Sequence, residues 1–151
     1  MRNILILLLA LTFVSGIIVL SADHQYVGNT KCKMCHPKQF KSWETTKHAK
    51  AYDALKPEEQ KKDECAVCHT TGYKKSAELL QNVQCEACHG PGSDYKNMNI
   101  MKDKAKAVEA GLVIPTEETC KTCHNKKSPN YKEFKFEDAK KIGVHEHPAK
   151  Q

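Results

Sequence analysis

Four copies of one pentapeptide constrain this chain more than any other feature. "CKMCH" covers residues 32–36, "CAVCH" 65–69, "CEACH" 85–89 and "CKTCH" 120–124. Together they use all eight cysteines, Cys32, Cys35, Cys65, Cys68, Cys85, Cys88, Cys120 and Cys123. Paired cysteines alone are also compatible with Cys-only zinc sites or a disulfide framework. The residue after each pair decides between them. Histidine follows all four pairs, an event of about 10⁻⁵ by chance at its share of this sequence, and CxxCH is the attachment signature of haem c. Cysteines three apart, with histidine next, project from one side of a single helical turn. The two thiols then reach the vinyl groups of one haem edge, and the imidazole reaches its iron. The pattern predicts four covalently bound haems, with His36, His69, His89 and His124 as proximal ligands.

The rest of the composition agrees, because a conventional core is missing. Residues 23–151 hold 16 Leu, Ile, Val and Phe among 129, about 12%. A charged chain with under about 20% of these residues usually stays disordered, since it buries too little apolar surface to offset its conformational entropy. Four large macrocycles would supply that surface. The expected fold class is mostly α: a small helical multihaem cytochrome c wrapped around its haems, with little or no sheet.

Ahead of this domain, Arg2 precedes an uncharged, strongly apolar run from Ile4 to Leu20. With small residues at Ser21 and Ala22, residues 1–22 read as an export signal cut after Ala22. An uncleaved anchor through residues 4–20 is the alternative. Either places 23–151, one tetrahaem domain, outside the cytoplasm, periplasmic or otherwise exported. The formal charge is +6, but lysines alternate with acids and form no dense basic block, so a solvated surface is expected and no nucleic-acid partner. Ionised propionates bring the holoprotein close to neutrality.

Four histidines remain for the second face of the irons: His24, His48, His145 and His147. His48 lies in "PKQFKSWETTKHAKAYDALKP" (37–57), read as one helix between Pro37 and Pro57 with Phe40, Trp43, Ala51, Ala54 and Leu55 roughly on one side. His145 follows "FKFEDAKKIG", read as a short amphipathic helix with Phe136, Ala139 and Ile142 at helical spacing. His147, next to Pro148, reads as a surface residue, and His24 as part of a fraying terminus. "TTGYK" (70–74) and "GPGSDY" (90–95) read as loops. "MKDKAKAVEAG" (101–111) reads as a helix stopped by Gly111, and Thr116 as the cap of a helix with Glu117 and Glu118 in its first turn.

Taken in order, "KCKMCHPKQFKSWETTKHAKAYDALKP", "CEACHGPG", "SPNYKEFKF" and "VHEH" resemble the tetrahaem cytochrome c-554 family, whose best-known member carries electrons away from hydroxylamine oxidation in the periplasm. The resemblance implies a mostly helical fold around four haems stacked in pairs. It implies that His48 ligates the haem held by His124 and that His145 ligates the haem held by His89. The haem at His69 is then open on one face. The chain departs from the family in three places. Asn99 stands where the family has the second ligand of the first haem, so Met98, Met101 or His24 takes that part at the His36 haem; a methionine would raise its potential. The stretch after the fourth motif, with Ser128 to Tyr131 as its remnant, is shorter beside the open haem. The shorter chain is also expected to lack part of the surface that docks the family's donor enzyme.

These features point to an electron carrier between redox protein partners, and not to an enzyme. Two other readings stay open: reduction or binding of a nitrogen oxide at the His69 haem, and a cytochrome filament in which His24 reaches a neighbouring chain.

Overall fold

A computed structural model describes residues 23–133 and 135–146. The segment read as a signal or anchor, and His147, lie outside the described residues. No helix among the described residues is long and apolar enough to cross a membrane.

The backbone is a series of short helices joined by turns. They are α1 (Asn29–Lys33), α2 (Pro37–Glu44), a 3-10 turn (His48–Lys50), α3 (Asp63–His69), α4 (Cys85–His89), α5 (Met98–Met101), α6 (Lys104–Glu109), α7 (Glu117–Lys121) and α8 (Phe136–Ile142). One small antiparallel pair, β1 (Thr70–Thr71) with β2 (Leu80–Gln81), sets Thr70 opposite Gln81 and Thr71 opposite Leu80. Mostly helical with a minimal sheet is the expected class. The longest helix among the described residues has eight residues, below the length at which an isolated helix is stable in water. Tertiary anchors must therefore hold these turns in place.

Protein side chains supply little of that anchoring through apolar burial. The buried apolar residues are Phe40, Ala66, Tyr95 and Ala107, joined by the polar Thr46, Thr70, Thr71 and Glu86. Large apolar side chains lie on the protein surface instead, Met34 at 78% exposure and Ile142 at 83%. Met34 and Val67 sit between the cysteines of the first two motifs. This chain forms a shell more than a core.

Several local expectations need correction. The helix expected over 37–57 breaks after Glu44. Thr45 and Thr46 turn both their amide and hydroxyl groups onto the carbonyls of Ser42 and Trp43. This tightens the last turn, and short β-branched side chains favour that competition with the helix. Of the expected apolar side, Phe40 is buried and lies 5.4 Å from the ring of Trp43, whereas Ala54 is exposed. Residues 70–71 of the expected loop pair with 80–81 as strands. The helix expected from 101 is two helices, because Asp103 accepts from the amides of Ala105 and Lys106 and starts α6 afresh. Gly111, at φ 98°, follows the end of α6. Thr116 caps α7 as expected, in a reciprocal pair with Thr119. α8 forms where expected, but Ile142 faces solvent instead of joining Phe136 and Ala139.

Candidate haem sites

Each CxxCH motif folds as a helical turn. The second and third lie wholly within α3 and α4. The first and fourth leave the ends of α1 and α7, where the His36 amide donates to the Cys32 carbonyl and the His124 amide to the Cys120 carbonyl, both at 2.9 Å. The two cysteines and the histidine of each motif thus share a turn, as attachment to one haem requires. No disulfide joins any of the eight cysteines. Among the described residues no group of three or more Cys, His, Asp or Glu is gathered as a metal-ion site.

The thiols also show how the motifs neighbour one another. Cys32 shares a hydrogen bond with Cys85, which pushes the Cys32 thiol up, with burial adding to it, and draws Cys85 down. Burial, then a hydrogen bond with Cys123, pushes Cys68 up to about 12. Burial, then the nearby Cys120 and Cys123, pushes Cys88 up to about 11. Motif one therefore adjoins motif three, three adjoins four, and four adjoins two. This spatial series differs from sequence order.

Two of the spare histidines face motif histidines. The His48 ring lies 5.9 Å from the His124 ring, centre to centre, with planes at 63°. The His145 ring lies 6.1 Å from the His89 ring, with planes at 24°. An iron held between two imidazoles by metal–nitrogen bonds of about 2 Å sets the ring centres roughly 6 Å apart. Both pairs have the separation that a bis-histidine haem iron needs, so the donor set fits the group.

Backbone contacts place these rings from a distance. The Val83 amide donates to the His48 carbonyl (3.1 Å), and Trp43 Nε1 donates to the Val83 carbonyl (2.9 Å). The His48 ring also bonds to the backbone of Gly143 at the end of α8. Burial, then the neighbouring His124, lowers its pKa below the ordinary imidazole value. The tail is fastened by the Glu146 amide donating to Ser42 Oγ at 2.9 Å, across 104 residues. That contact carries His145 back to α2. The Nδ1 atoms of His69, His89 and His145 approach the carbonyls of Ala51 (2.5 Å), Val113 (3.1 Å) and Glu146 (2.8 Å). A carbonyl can only accept, so each Nδ1 carries the proton and Nε2 keeps its lone pair for a metal.

The remaining candidates are placed differently. His24 Nδ1 pairs with Asp94 Oδ2 at 2.7 Å, and its Nε2 edge packs against Gly111. Met98 opens α5 at 61% exposure, and the amide of Asn99 is capped by Asn97. Among the described residues no imidazole is set across from His36 or His69 as His48 and His145 are from their partners.

Glu86, inside the third motif, is the residue that sequence reasoning missed. It is 1% exposed, and its carboxylate accepts from the amides of Val27 (3.0 Å), Gly28 (2.7 Å) and Gly92 (2.6 Å). It thereby pins the N-terminal segment and the "GPG" loop to α4. The glycines were the available signal: a Cβ on Gly92 would sit 3.0 Å from Glu86 Oε1.

Comparison with known proteins gives a consistent result. Residues 31–90 match the family described as cytochrome c554 and c-prime. Over 140 residues the chain is 30% identical to cytochrome c-554 of Nitrosomonas europaea, an alignment covering 70% of this chain and 60% of that protein. The chain thus spans about 60% of the length of the curated relative it matches. The solved structure of reduced cytochrome c554 from the same organism superposes with a TM-score of 0.65 at 29% identity, covering 83% of this chain and 87% of that one.

Proposed function

From the premise that this chain belongs to the cytochrome c-554 family, a family of c-type cytochromes that hold haem covalently, we propose that it is an exported tetrahaem electron carrier. Residues 1–22 direct export, and 23–151 form one domain. Each CxxCH motif holds one haem through its two cysteines and its histidine. The haems, when bound, supply one-electron ferric–ferrous chemistry and the apolar bulk that the chain lacks.

What the chain itself does is hold, orient and close. His48 and His124 would hold one iron between them, and His145 and His89 another. The observation that carries this reading is the pair of ring separations near 6 Å, each made by residues far apart in sequence. The carbonyls of Val113, Glu146 and Gly143 fix the imidazole orientations, so little rearrangement accompanies a change of oxidation state. An iron closed by two protein ligands has no site for substrate, which suits outer-sphere transfer. The thiol contacts order the sites one, three, four, two, a continuous series between two ends. For the His36 haem, His24, Met98 and Met101 remain the candidate second ligands. The filament reading requires His24 on a neighbouring chain, whereas its ring is engaged by Asp94 of its own.

A second reading attaches to His69. Its ring is fixed by the Ala51 carbonyl, and no imidazole faces it among the described residues. That supports small-molecule binding, of nitric oxide for instance, at this haem.

The test is EPR of the ferric holoprotein with a CO-difference spectrum after reduction. Four haems per chain are expected, with two bis-histidine low-spin signals. His48→Ala and His145→Ala should each convert one of these to high spin. Unchanged spectra in both variants would overturn the ligand assignment.

A further inference from the structure

Charge in this molecule is unevenly compensated. Lys74, Lys106, Lys121, Lys140 and Lys141 each pair with a carboxylate on their own or a neighbouring turn. Other lysines, Lys56, Lys104 and Lys127 among them, have no such pair, and what sets residues 31–50 apart is their shortage of acids. They carry six lysines, Lys31, Lys33, Lys38, Lys41, Lys47 and Lys50, against one acid, Glu44. All six are exposed, and among the described residues none makes an ion pair. Lys33 lies 4.6 Å over the Phe40 ring, an attraction that leaves its charge in place. These residues lie on α1, α2 and the 3-10 turn, and α1 packs on α2. Charges that look well mixed along the whole sequence are therefore concentrated in this one segment, which also holds the first motif.

That motif is an end of the series one, three, four, two. An end site whose own segment carries uncompensated positive charge is where an electron would enter or leave. Every cation in residues 23–151 is lysine. Its ammonium stays strongly hydrated and does not form the rigid bidentate pairs of arginine, which suits a partner that must dissociate after each transfer. A membrane surface fits less well, because interfacial binding needs apolar or aromatic side chains beside the charges. Here Phe40 is buried, Trp43 turns its indole onto Val83, and Met34 is the one large apolar side chain exposed on this face.

We propose that the face formed by α1, α2 and the 3-10 turn docks a redox protein whose own centre is surrounded by carboxylates, and that electrons cross at the His36 end of the series. The inference rests on the carrier reading above. In each encounter one electron passes from the partner's reduced centre to a ferric haem iron, or the reverse. No bond forms or breaks and no proton moves.

The test uses the holoprotein and a reduced, acidic plant-type [2Fe–2S] ferredoxin as probe, mixed by stopped flow. At low ionic strength Lys38→Glu/Lys41→Glu should lower the second-order rate constant about tenfold or more, within the usual range of electrostatic steering. Lys102→Glu/Lys104→Glu makes the same charge change on the α5–α6 segment and should lower it less than about twofold. The gap should close toward about 0.5 M salt. Equal losses in the two variants would mean that net charge alone matters, and would overturn the proposal. Cosedimentation with phosphatidylserine–phosphatidylcholine vesicles at about 0.15 M salt, abolished in the first variant, would assign the face to a membrane and also overturn it. Dithionite separates the two levels: haems that it fails to reduce sink the carrier reading itself, whereas full reduction with patch-insensitive ferredoxin rates sinks only the docking face.

Discussion

The Glu86 carboxylate offers the sharpest test of how this small shell is held. Both of its oxygens are engaged: Oε1 by Val27 and Gly92, Oε2 by Gly28 and more weakly by Val27. Glu86→Gln keeps the shape but retains only one accepting oxygen. At least one amide then loses its partner and meets an NH2 group instead. A hydrogen bond to a charged group contributes about 1.5–3 kcal/mol, and a stranded buried donor costs a similar amount. A loss of about 2–3 kcal/mol is expected for Glu86→Gln, and about 4–5 kcal/mol for Glu86→Ala, less than additive because the loop can relax. Against a typical total of roughly 5–15 kcal/mol these are large changes. Guanidinium unfolding of the ferric holoprotein, followed by far-ultraviolet circular dichroism and by the Soret band, reads them directly, since covalent attachment prevents haem loss. Hydrogen exchange at Val27, Gly28 and Gly92 should accelerate with the same ranking. A Gln variant within about 0.5 kcal/mol of wild type would refute the reasoning, and would mean that water satisfies these amides when the carboxylate is gone.

Two further perturbations follow from the geometry. Burial holds the His48 pKa below its ordinary value of 6.5, so above that pH neither folded nor unfolded chain protonates it. Below 6.5 the unfolded chain takes up the proton first, and the stability carried by neutral His48 is lost as pH falls. Iron ligation strengthens the same sign. In a ferric EPR titration the His124 haem should stay low spin from pH 8 to about 6.5 and turn high spin only below; a transition centred above 7 would contradict this. Gly72, at φ 62°, presses against Tyr26, and an added Cβ would sit 2.7 Å from that ring. Gly72→Ala should cost about 2–3 kcal/mol, from left-handed strain plus displacement of the ring, and an unchanged denaturant midpoint would refute the contact.

What could be read from the sequence follows the range over which each interaction acts. The motif turns, the Thr116 cap and the Gly111 stop are decided within five residues, and all three are found where the sequence placed them. The helix expected over 37–57 failed on an equally local matter. Thr45 and Thr46 had an alternative hydrogen bond available at Ser42 and Trp43, and apolar periodicity does not register that competition. Glu86 failed for the opposite reason. Its partners Val27 and Gly28 are 59 and 58 residues away, and a glutamate between two cysteines carries by itself no sign that it will be buried. The facing of His48 to His124 and of His145 to His89 is just as long-range, yet it was anticipated through family resemblance, which carries tertiary information that spacing lacks. Ile142 marks where the helical rule itself misleads. Where the described residues bury only four apolar side chains, an apolar stripe need not face other protein. It can instead lie over a haem edge or remain in water, so hydrophobic periodicity reports where a helix forms without reporting what it packs against.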